Sequence, residues 1–561
     1  MSEPTDGGVR RGAALMASGT AASRMLGLLR GMVLVAAIGA VGQAADAFAV
    51  ANKLPNVLYM LLAGGVLNAI LVPQVVRAYR RAAGQEYVDR LLTFGFVVLA
   101  GASLVLTVAA PLLVRLYSDP CSQAQTGLAT TFAYWCIPQL FFYGAYALLG
   151  QVLNARGSFG PYMWAPVVNN IVSIAGFGVF VWVFGVAKHT DVEVAATWTS
   201  GQVALLAGAA TLGVVAQAAV LIPSLRRAGV HYRPRWGLRG SGLGRAGNVA
   251  TWTLIGLTVG QLGYIVVSRV ASQAPGAAAG AGAVACAAPG AIAGNAAYDY
   301  AFLIFMLPHS LVTVSLATAL FTRLSGQAHD ADVDGVRATL SSGLRVVGIF
   351  TIAATAVVAV LVTPITQLVL WTATPAAAHA VAGVVLTMIL GLSAFGAWSM
   401  CQRVYYAYED ARSMVPIQVV MAAVVVVGTL VGRALLSPSH WVAGAGLAMS
   451  VSYFVGTALA LWHLRRRLGT VDGPHVVQVH ARALLAGIVA AAIGLALQLV
   501  LSTTLPGGHL TSIVECVAVG TVMGLVYLGG LRVLRVRELD QLLGPLLARI
   551  PGTGRLRGGR R

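Results

Sequence analysis

Charged residues are scarce in this sequence. Asp, Glu, Lys and Arg make up 10% of its 561 residues, whereas hydrophobic residues make up 58%. Soluble domains of this total length need a charged surface, so the composition excludes a soluble protein. Lysine is almost missing, with only Lys53 and Lys188 in the chain. The net charge of +19, from 37 basic and 18 acidic residues, is therefore carried almost entirely by arginine.

Cysteine and the usual catalytic motifs are also scarce or missing. The five cysteines have neither CxxC pairs nor the Cys/His spacing of a metal site, so neither a structural metal nor a disulfide framework is indicated. No Ser/His/Asp order, paired carboxylates of a soluble cleft, Walker sequence or dinucleotide fingerprint is present. We therefore expect a protein that is not an enzyme and that needs no metal and no cofactor.

Long apolar runs dominate the chain instead. A helix needs about 20 largely apolar residues to span a bilayer, and about fourteen runs meet this requirement. Their length and the lack of strand-type alternation favour helices over a barrel. The predicted fold is an all-α integral membrane protein. The predicted spans are 14–40, 46–74, 91–116, 127–152, 160–186, 199–223, 246–270, 296–322, 343–371, 379–406, 413–435, 440–464, 482–504 and 510–534.

The basic residues predict the orientation, because cytoplasmic connections are enriched in Lys and Arg. One set of connections has little more than Arg115, Lys188, Arg269 and Arg433. The other set has most of the arginines, which are Arg10, Arg11, Arg77, Arg80, Arg81, Arg156, Arg226, Arg227, Arg233, Arg235, Arg239, Arg245, Arg323, Arg337, Arg465, Arg466, Arg467 and those of the tail from Arg532 to Arg561. Both termini are therefore predicted to be cytoplasmic. The positive charge is explained by topology and by anionic membrane lipids, and nucleic acid is not expected as a partner.

An internal repeat predicts two related halves. Asp46 is followed by Leu54-Pro55, and Asp299 by Leu307-Pro308, at the same spacing and at an offset of 253 residues (299 − 46). Proline inside a span kinks a helix, either as part of a moving element or as a packing feature. Six spans per half place both halves in the same orientation, with a central cavity between them.

The repeat and the basic connection 224–245 divide the chain into four predicted parts. These are an N-lobe at 1–235, a C-lobe at 236–470, an appended pair of spans at 471–535 and a basic cytoplasmic tail at 536–561. The Ala/Gly stretch from Ala274 to Gly294 is predicted from its low complexity to be a flexible external loop.

A few charges lie inside the predicted spans, where an ionisable side chain costs at least about 2.5–3.5 kcal/mol and marks a partner or a function. They are Arg24, Arg30, Asp46, Lys53 and Asp299. One interpretation is that these charges only neutralise one another. The other is that the arginines leave an excess of positive charge in the cavity, where guanidinium groups are well shaped to clamp phosphate.

Several segments resemble the MurJ/MviN family of lipid II flippases, and the similarity extends over all fourteen predicted spans. The similar segments are Ser23-Arg24-Met25-Leu26-Gly27-Leu28-Leu29-Arg30, Ala45-Asp46-Ala47-Phe48, Lys53-Leu54-Pro55-Asn56, Leu153-Asn154-Ala155-Arg156-Gly157-Ser158-Phe159, Ala165-Pro166, Asn169-Asn170, and Arg403-Val404-Tyr405-Tyr406-Ala407 with Asp410 and Arg412.

The resemblance implies an alternating-access carrier in the bacterial plasma membrane. Its cargo would be the undecaprenyl-diphosphate-linked peptidoglycan precursor, lipid II, moved from the cytoplasmic to the outer leaflet. By the same resemblance, Arg24 and Arg30 bind the diphosphate, Asp46 is a gating residue or a charge partner, and the last two spans form a groove for the prenyl tail. Lys53 and Asp299 are further candidates for cavity charge or gating, and cell-wall synthesis proteins are possible partners. The motif residues predicted at cytoplasmic ends are Asn154, Arg156, Asn169, Arg403 and Asp410.

The sequence departs from the family pattern at Tyr59 and Leu303, where many members have arginine. Lys53 or Arg269 is a candidate to replace the lost charge.

Two alternatives to a lipid II flippase are a multidrug or cation antiporter and another polyprenyl-glycolipid exporter of the same superfamily. A non-transporting scaffold for cell-wall enzymes would explain the basic loops but not the intramembrane arginines.

Cys121 and Cys286, both in predicted external loops, are candidates for a disulfide because that face is oxidising.

Overall fold

Long helices make up almost all of the computed structural model of this protein. The structure describes residues 6–62, 84–187, 194–237, 244–280 and 291–538. No β-strand occurs within these ranges. The predicted all-α class is therefore confirmed.

The helices of the first half follow the predicted spans closely. Their bounds are α1 Asp6–Ile38, α2 Gln43–Leu62, α3 Gly84–Val108, α4 Ala110–Tyr117, α5 Gln123–Cys136, α6 Gln139–Ala155, α7 Gly160–Phe184, α8 Ser200–Ala219, α9 Leu221–Arg227 and α10 Gly244–Ala279. The second predicted span, 46–74, is described only as far as the end of α2.

The second half also consists of long helices, and helices lie at the last two predicted spans. Its bounds are α11 Asn295–Pro308, α12 Val314–His329, α13 Val333–Val360, α14 Val362–Val369, α15 Pro375–Ile389, α16 Leu392–Ala407, α17 Met414–Leu435, α18 Trp441–Leu468, α19 Gly473–Thr504 and α20 His509–Val533. Among the described residues, 12 helices are long and apolar enough to cross a membrane, or 13 if α15 and α16, bent by 49°, count as one broken span.

Prolines lie at several of the interruptions. A π-helical turn, His309–Thr313, follows Pro308 directly and joins α11 to α12. Such turns accommodate a local break in the α-helical hydrogen-bond ladder. Pro55, its counterpart in the repeat, lies inside α2 without interrupting that helix.

The loop predicted between Ala274 and Gly294 is wrong in its first part. Helix α10 continues to Ala279, and Ala274 is fully buried. Alanine has the highest helix propensity of all residues, so an Ala-rich stretch that follows a span extends the helix.

The chain divides into two units. One comprises Met1–Ala301, Val369–Val384 and Ala411–Ala448. In it, α1 lies against α7, α7 against α8, α2 against α5, and α10 against α17. A hydrophobic cluster that includes Val88, Leu92, Leu148 and Val152 joins α3 to α6.

The other unit comprises Phe302–Leu368, Val385–Asp410 and Met449–Arg561. Its core joins α13 to the last two helices, and the Tyr527 hydroxyl donates a 2.7 Å hydrogen bond to the carbonyl of Ile349. Arg345 lies 3.0 Å from Asp472 and 2.8 Å from Glu538, and so connects α13 to the segments beside α19 and α20. The predicted lobes and appended pair, with their boundaries, stay predictions.

Candidate functional site

Arg24 and Arg30 lie on α1, which passes both positions as one continuous helix. Arg24 is exposed and Arg30 is half-buried. Within the described residues, neither guanidinium forms an ion pair with a carboxylate. Their positive charge is thus not neutralised by a contact in this part of the chain.

A polar network fixes α1 next to these arginines. The Asn170 side chain on α7 donates to the backbone carbonyl of Ser23 over 2.9 Å, one residue before Arg24. Its neighbour Asn169, one of the predicted motif residues, donates to Gln217 on α8 over 2.8 Å. Both asparagines are buried, where an unmade hydrogen bond costs more than a made one contributes. The Asn169-Asn170 pair therefore connects α1, α7 and α8.

Asp46 lies near the start of α2, and only 2% of it is exposed. Its Oδ1 accepts a 2.7 Å hydrogen bond from the backbone N–H of Ala296, in the first turn of α11. The free N–H groups and the dipole at a helix N-terminus favour a carboxylate there. Gly294 gives this carboxylate room, because a Cβ at that position would collide with Asp46 Oδ2. Asp46 thus caps α11.

Lys53, two turns further along α2, forms an ion pair with Asp299 on α11. The Lys53 ammonium also lies 4.2 Å from the centre of the Tyr264 ring and 5.7 Å from that of Tyr298, which gives it cation–π contacts. Side-chain exposures of 26% for Lys53 and 30% for Asp299 leave the pair partly accessible.

Asp46, Lys53 and Asp299 therefore form one group that connects α2 to α11. The group is a polar link between two helices, and it breaks if those helices separate.

The two candidates for replacing family arginines both have carboxylate partners. Lys53 is paired with Asp299, and Arg269 on α10 lies 2.8 Å from Asp119. Arg269 also donates to the carbonyl of Arg115 over 2.9 Å. Their carboxylate partners thus largely neutralise the charges of Lys53 and Arg269 in this conformation, in contrast to those of Arg24 and Arg30.

The other predicted motif residues lie at or near helix ends. Asn154 and Arg156 lie at the end of α6, where Gly157 has a positive φ of 76°. In the other unit, Arg403 on α16 lies 5.6 Å from the centre of the Phe321 ring, and Asp410 forms a 3.2 Å ion pair with Arg467. These contacts fix helix ends.

Several contributors to the site were not predicted. Tyr264 and Tyr298 contact Lys53, and Gly294 makes room for Asp46. Asn170 lies in a segment that resembles the family, but its contact with α1 was not predicted. The aromatic residues on both sides of the intramembrane acid, Tyr298-Asp299-Tyr300, were the available sequence signal. No group of three or more His, Cys, Asp or Glu side chains suited to a metal ion occurs in the described ranges.

Solved structures establish the class of fold. The structure of a lipid II flippase MurJ in an inward closed conformation is similar with a TM-score of 0.65 at 16% identity, over 95% of this chain and 100% of that one. An inward-facing MATE-family multidrug resistance transporter of the MOP superfamily is similar with a TM-score of 0.62 at 14% identity, over 80% of this chain and 96% of that one. This chain therefore shares its fold with both of these solved structures.

Sequence comparison then identifies the family. The sequence model described as lipid II flippase MurJ matches residues 34–517. A lipid II flippase MurJ of Burkholderia cenocepacia is 29% identical over 463 residues, 80% of this chain and 82% of that protein. A probable lipid II flippase MurJ of Vibrio cholerae serotype O1 is 26% identical over 472 residues, with coverages of 80% and 83%. The chain belongs to the lipid II flippase MurJ family, as its motifs predicted.

Proposed function

We propose that this protein moves lipid II from the cytoplasmic to the outer leaflet of the bacterial plasma membrane by alternating access. The observation that carries the proposal is the pair Arg24 and Arg30, two guanidiniums without a carboxylate partner in the described part of a flippase-family chain. A diphosphate is the anion that two such groups bind well.

The polar head group enters the protein while the prenyl tail stays in lipid. Moving a diphosphate sugar through hydrocarbon without hydrogen bonds costs too much, and the apolar tail gains nothing by leaving the bilayer. Helices α19 and α20 are proposed to form the groove for the tail. In support, α19 exposes a series of apolar side chains, which includes Leu484, Ile488, Leu495 and Leu499.

Both termini are proposed to be cytoplasmic. This orientation follows from the arginine-rich connections, which are also proposed to contact anionic lipid head groups. The start of α2 and the start of α11 then lie on the outer side. Cell-wall synthesis proteins that deliver or consume the precursor are proposed partners.

Asp46, Lys53 and Asp299 are proposed to act as the outer gate. In support, Asp46 binds the first turn of α11 and Lys53 pairs with Asp299, so both contacts hold α2 against α11. An opening toward the outer side requires these contacts to break. The membrane potential, worth about 2.3 kcal/mol per charge per 100 mV, is large enough to bias such a step.

Reconstituted vesicles test the proposal against a multidrug or cation antiporter of the same superfamily. Labelled lipid II and a cationic dye are offered in parallel to the wild-type protein and to the Arg24→Ala and Arg30→Ala variants. We expect lipid II translocation without dye transport, and its loss in both variants. Arg115→Ala, which removes an exposed arginine from α4, is the control and keeps activity.

Two outcomes contradict the proposal. Dye transport without lipid II translocation identifies an antiporter. Normal translocation by both α1 variants shows that the diphosphate is bound elsewhere.

A further inference from the structure

The Arg345 guanidinium on α13 contacts both ends of the last helix pair. Its Nη1 lies 3.0 Å from Oδ2 of Asp472, the residue that directly precedes α19. Its Nε lies 2.8 Å from Oε1 of Glu538, which follows the end of α20. Ser341, one turn earlier on α13, donates to Asp472 over 3.3 Å and accepts from Arg345 over 3.0 Å. We call Ser341, Arg345, Asp472 and Glu538 the Arg345 cluster.

Asp472 adopts an unusual conformation to make these contacts. Its φ of 41° lies in the left-handed region, which is costly for a residue with a Cβ. An aspartate in front of a helix usually accepts a hydrogen bond from the first turn, but Asp472 makes no such bond to α19. Its carboxylate contacts Ser341 and Arg345 instead. Asp472 thus gives up the capping of its own helix for a contact with α13.

Glu538 is also held at a cost. Only 5% of this residue is exposed, and its Oε2 has no hydrogen-bond partner within the described residues. The desolvation of a buried ion pair offsets most of its attraction, so such a pair adds little to stability. Stability alone therefore explains neither Asp472 nor Glu538. What their contacts provide is a defined position for the two helix ends on α13.

The packing of α19 leaves a need for this definition. The side of α19 that packs against α13 and α20 has small residues, which are Ala483, Ala486, Gly487, Ala490 and Gly494. Small side chains let helices approach closely, but they interlock little and so define the rotation of a helix about its axis only weakly.

The contacts further along the pair act on α20. The Tyr527 hydroxyl donates to the carbonyl of Ile349 on α13, and the Ser512 hydroxyl donates to Gln367 Oε1 on α14 over 2.7 Å. Both donors belong to α20. The Arg345 cluster, in contrast, acts on the start of α19.

The rotation of α19 decides where its exposed apolar face lies. That face includes Leu484, Ile488, Leu495 and Leu499, and we have proposed that it receives the prenyl tail. We propose that Arg345 is a positioning residue for the tail, because its contacts with Asp472 and Glu538 set the rotation of α19. This inference rests on the proposed function and adds the residues that place the tail surface.

The chain length of the substrate separates the tail surface from the rest of the protein. The exposed series from Leu484 to Leu499 extends about 22 Å along α19, at 1.5 Å per residue, and a farnesyl chain covers only part of it. Initial rates of translocation are measured in vesicles for lipid II with an undecaprenyl chain and for lipid II with a farnesyl chain, over a range of lipid concentrations.

Two variants of the full-length protein disturb the cluster in different ways. Asp472→Gly removes the carboxylate and suits the left-handed backbone, so Tm should equal or exceed that of wild type. Arg345→Lys keeps the charge but loses the fork that contacts several partners at once. The matched control is Ala331→Gly, because Ala331 has a φ of 56°, is exposed and lies outside the cluster.

We expect Asp472→Gly to raise KM for undecaprenyl lipid II about tenfold, since lost contact with about two methylene groups of the tail is sufficient for this change. Its kcat, and its KM for farnesyl lipid II, should stay within about twofold of wild type. Arg345→Lys should give a smaller rise, again for the long chain alone. The control should behave as wild type with both lipids.

An equal rise of KM for both lipids overturns the proposal, because the cluster then acts on the head group or on the whole fold. Normal transport by Asp472→Gly also overturns it and leaves the cluster a purely structural role. Asp472→Gly provides the test even if Arg345→Lys fails to fold. Failure of the proposed function looks different, because the wild-type protein then moves neither lipid.

Discussion

The carboxylate of Asp46 accepts a hydrogen bond from the backbone N–H of Ala296, 250 residues later in the chain, over 2.7 Å. An intramembrane acid thus holds a helix N-terminus, where it satisfies a free backbone donor and interacts with the helix dipole. A charge that would be costly in the membrane is stabilised by α11, and α11 is held against α2 by the same contact. This relationship supports a gating role for Asp46 beyond neutralisation of nearby charge.

Replacement of Asp46 by Asn is expected to favour the open state of the proposed outer gate. Asn keeps an oxygen that accepts the bond from Ala296 but lacks the charge, and a hydrogen bond to a charged group contributes about 1 kcal/mol more than a neutral one, so the open-to-closed ratio rises about fivefold. The measurement is labelling of an Ala297→Cys reporter by an impermeant thiol reagent, because Ala297 is fully buried beside this contact. Unchanged labelling in Asp46→Asn would show that the contact does not hold the gate.

Replacement of Gly294 by Ala is also expected to favour the open state of the proposed outer gate, without a change of charge. The added Cβ collides with Asp46 Oδ2, so Gly294→Ala displaces the carboxylate from α11. Gly178→Ala on α7 is the matched control, because its Cβ would meet nothing within 4 Å. We expect faster labelling of the Ala297→Cys reporter in the first variant only. Equal labelling in both would mean that α11 accommodates the methyl group without releasing Asp46.

The sequence predicts where helices lie much better than which residues meet. Long apolar runs located the spans because a bilayer imposes the same length on each of them. The intramembrane charges were also found, since polar groups are rare there. The error at Ala274 arose in a segment where composition favours both a loop and a helix.

Pairing between distant helices is not visible in local patterns. Asp46, Lys53 and Asp299 were each predicted as candidates. The hydrogen bond from a backbone N–H to Asp46 could not be predicted, because almost every residue has such a donor and the sequence does not indicate which one the carboxylate contacts. The contacts of Lys53 with Tyr264 and Tyr298 depend on how α2, α10 and α11 pack. Only the resemblance to a family could have suggested this arrangement from the sequence.

The disulfide of Cys121 gives a prediction about the outer face. Cys121 is disulfide-bonded, whereas Cys136, Cys401 and Cys516 are free thiols. Cys286 is the remaining cysteine of the chain and lies outside the described residues, so we predict it as the partner. Mass spectrometry of unreduced digests should find the Cys121 and Cys286 peptides linked, and reductant should separate them. Labelling of Cys121 by an impermeant reagent added from outside without reductant would contradict the pairing, whereas no labelling even after reduction would contradict the predicted outward location.

Exchange of the charges of Lys53 and Asp299 tests whether their pair is a structural contact or part of transport. Lys53→Asp or Asp299→Lys alone places two like charges together in a partly exposed site, so each should lower Tm and translocation. The double variant restores an attraction of about 1 kcal/mol for a pair exposed to this extent, and Tm should recover. The reciprocal exchange of Arg90 and Glu86, an ion pair of 2.7 Å on α3 with exposures of 40% and 51%, is the control. If the double variant recovers Tm but not lipid II translocation, the Lys53 ammonium is needed at its own place on α2, as expected for a gate that opens beside the substrate. Full recovery of translocation would show instead that any attraction between α2 and α11 is sufficient.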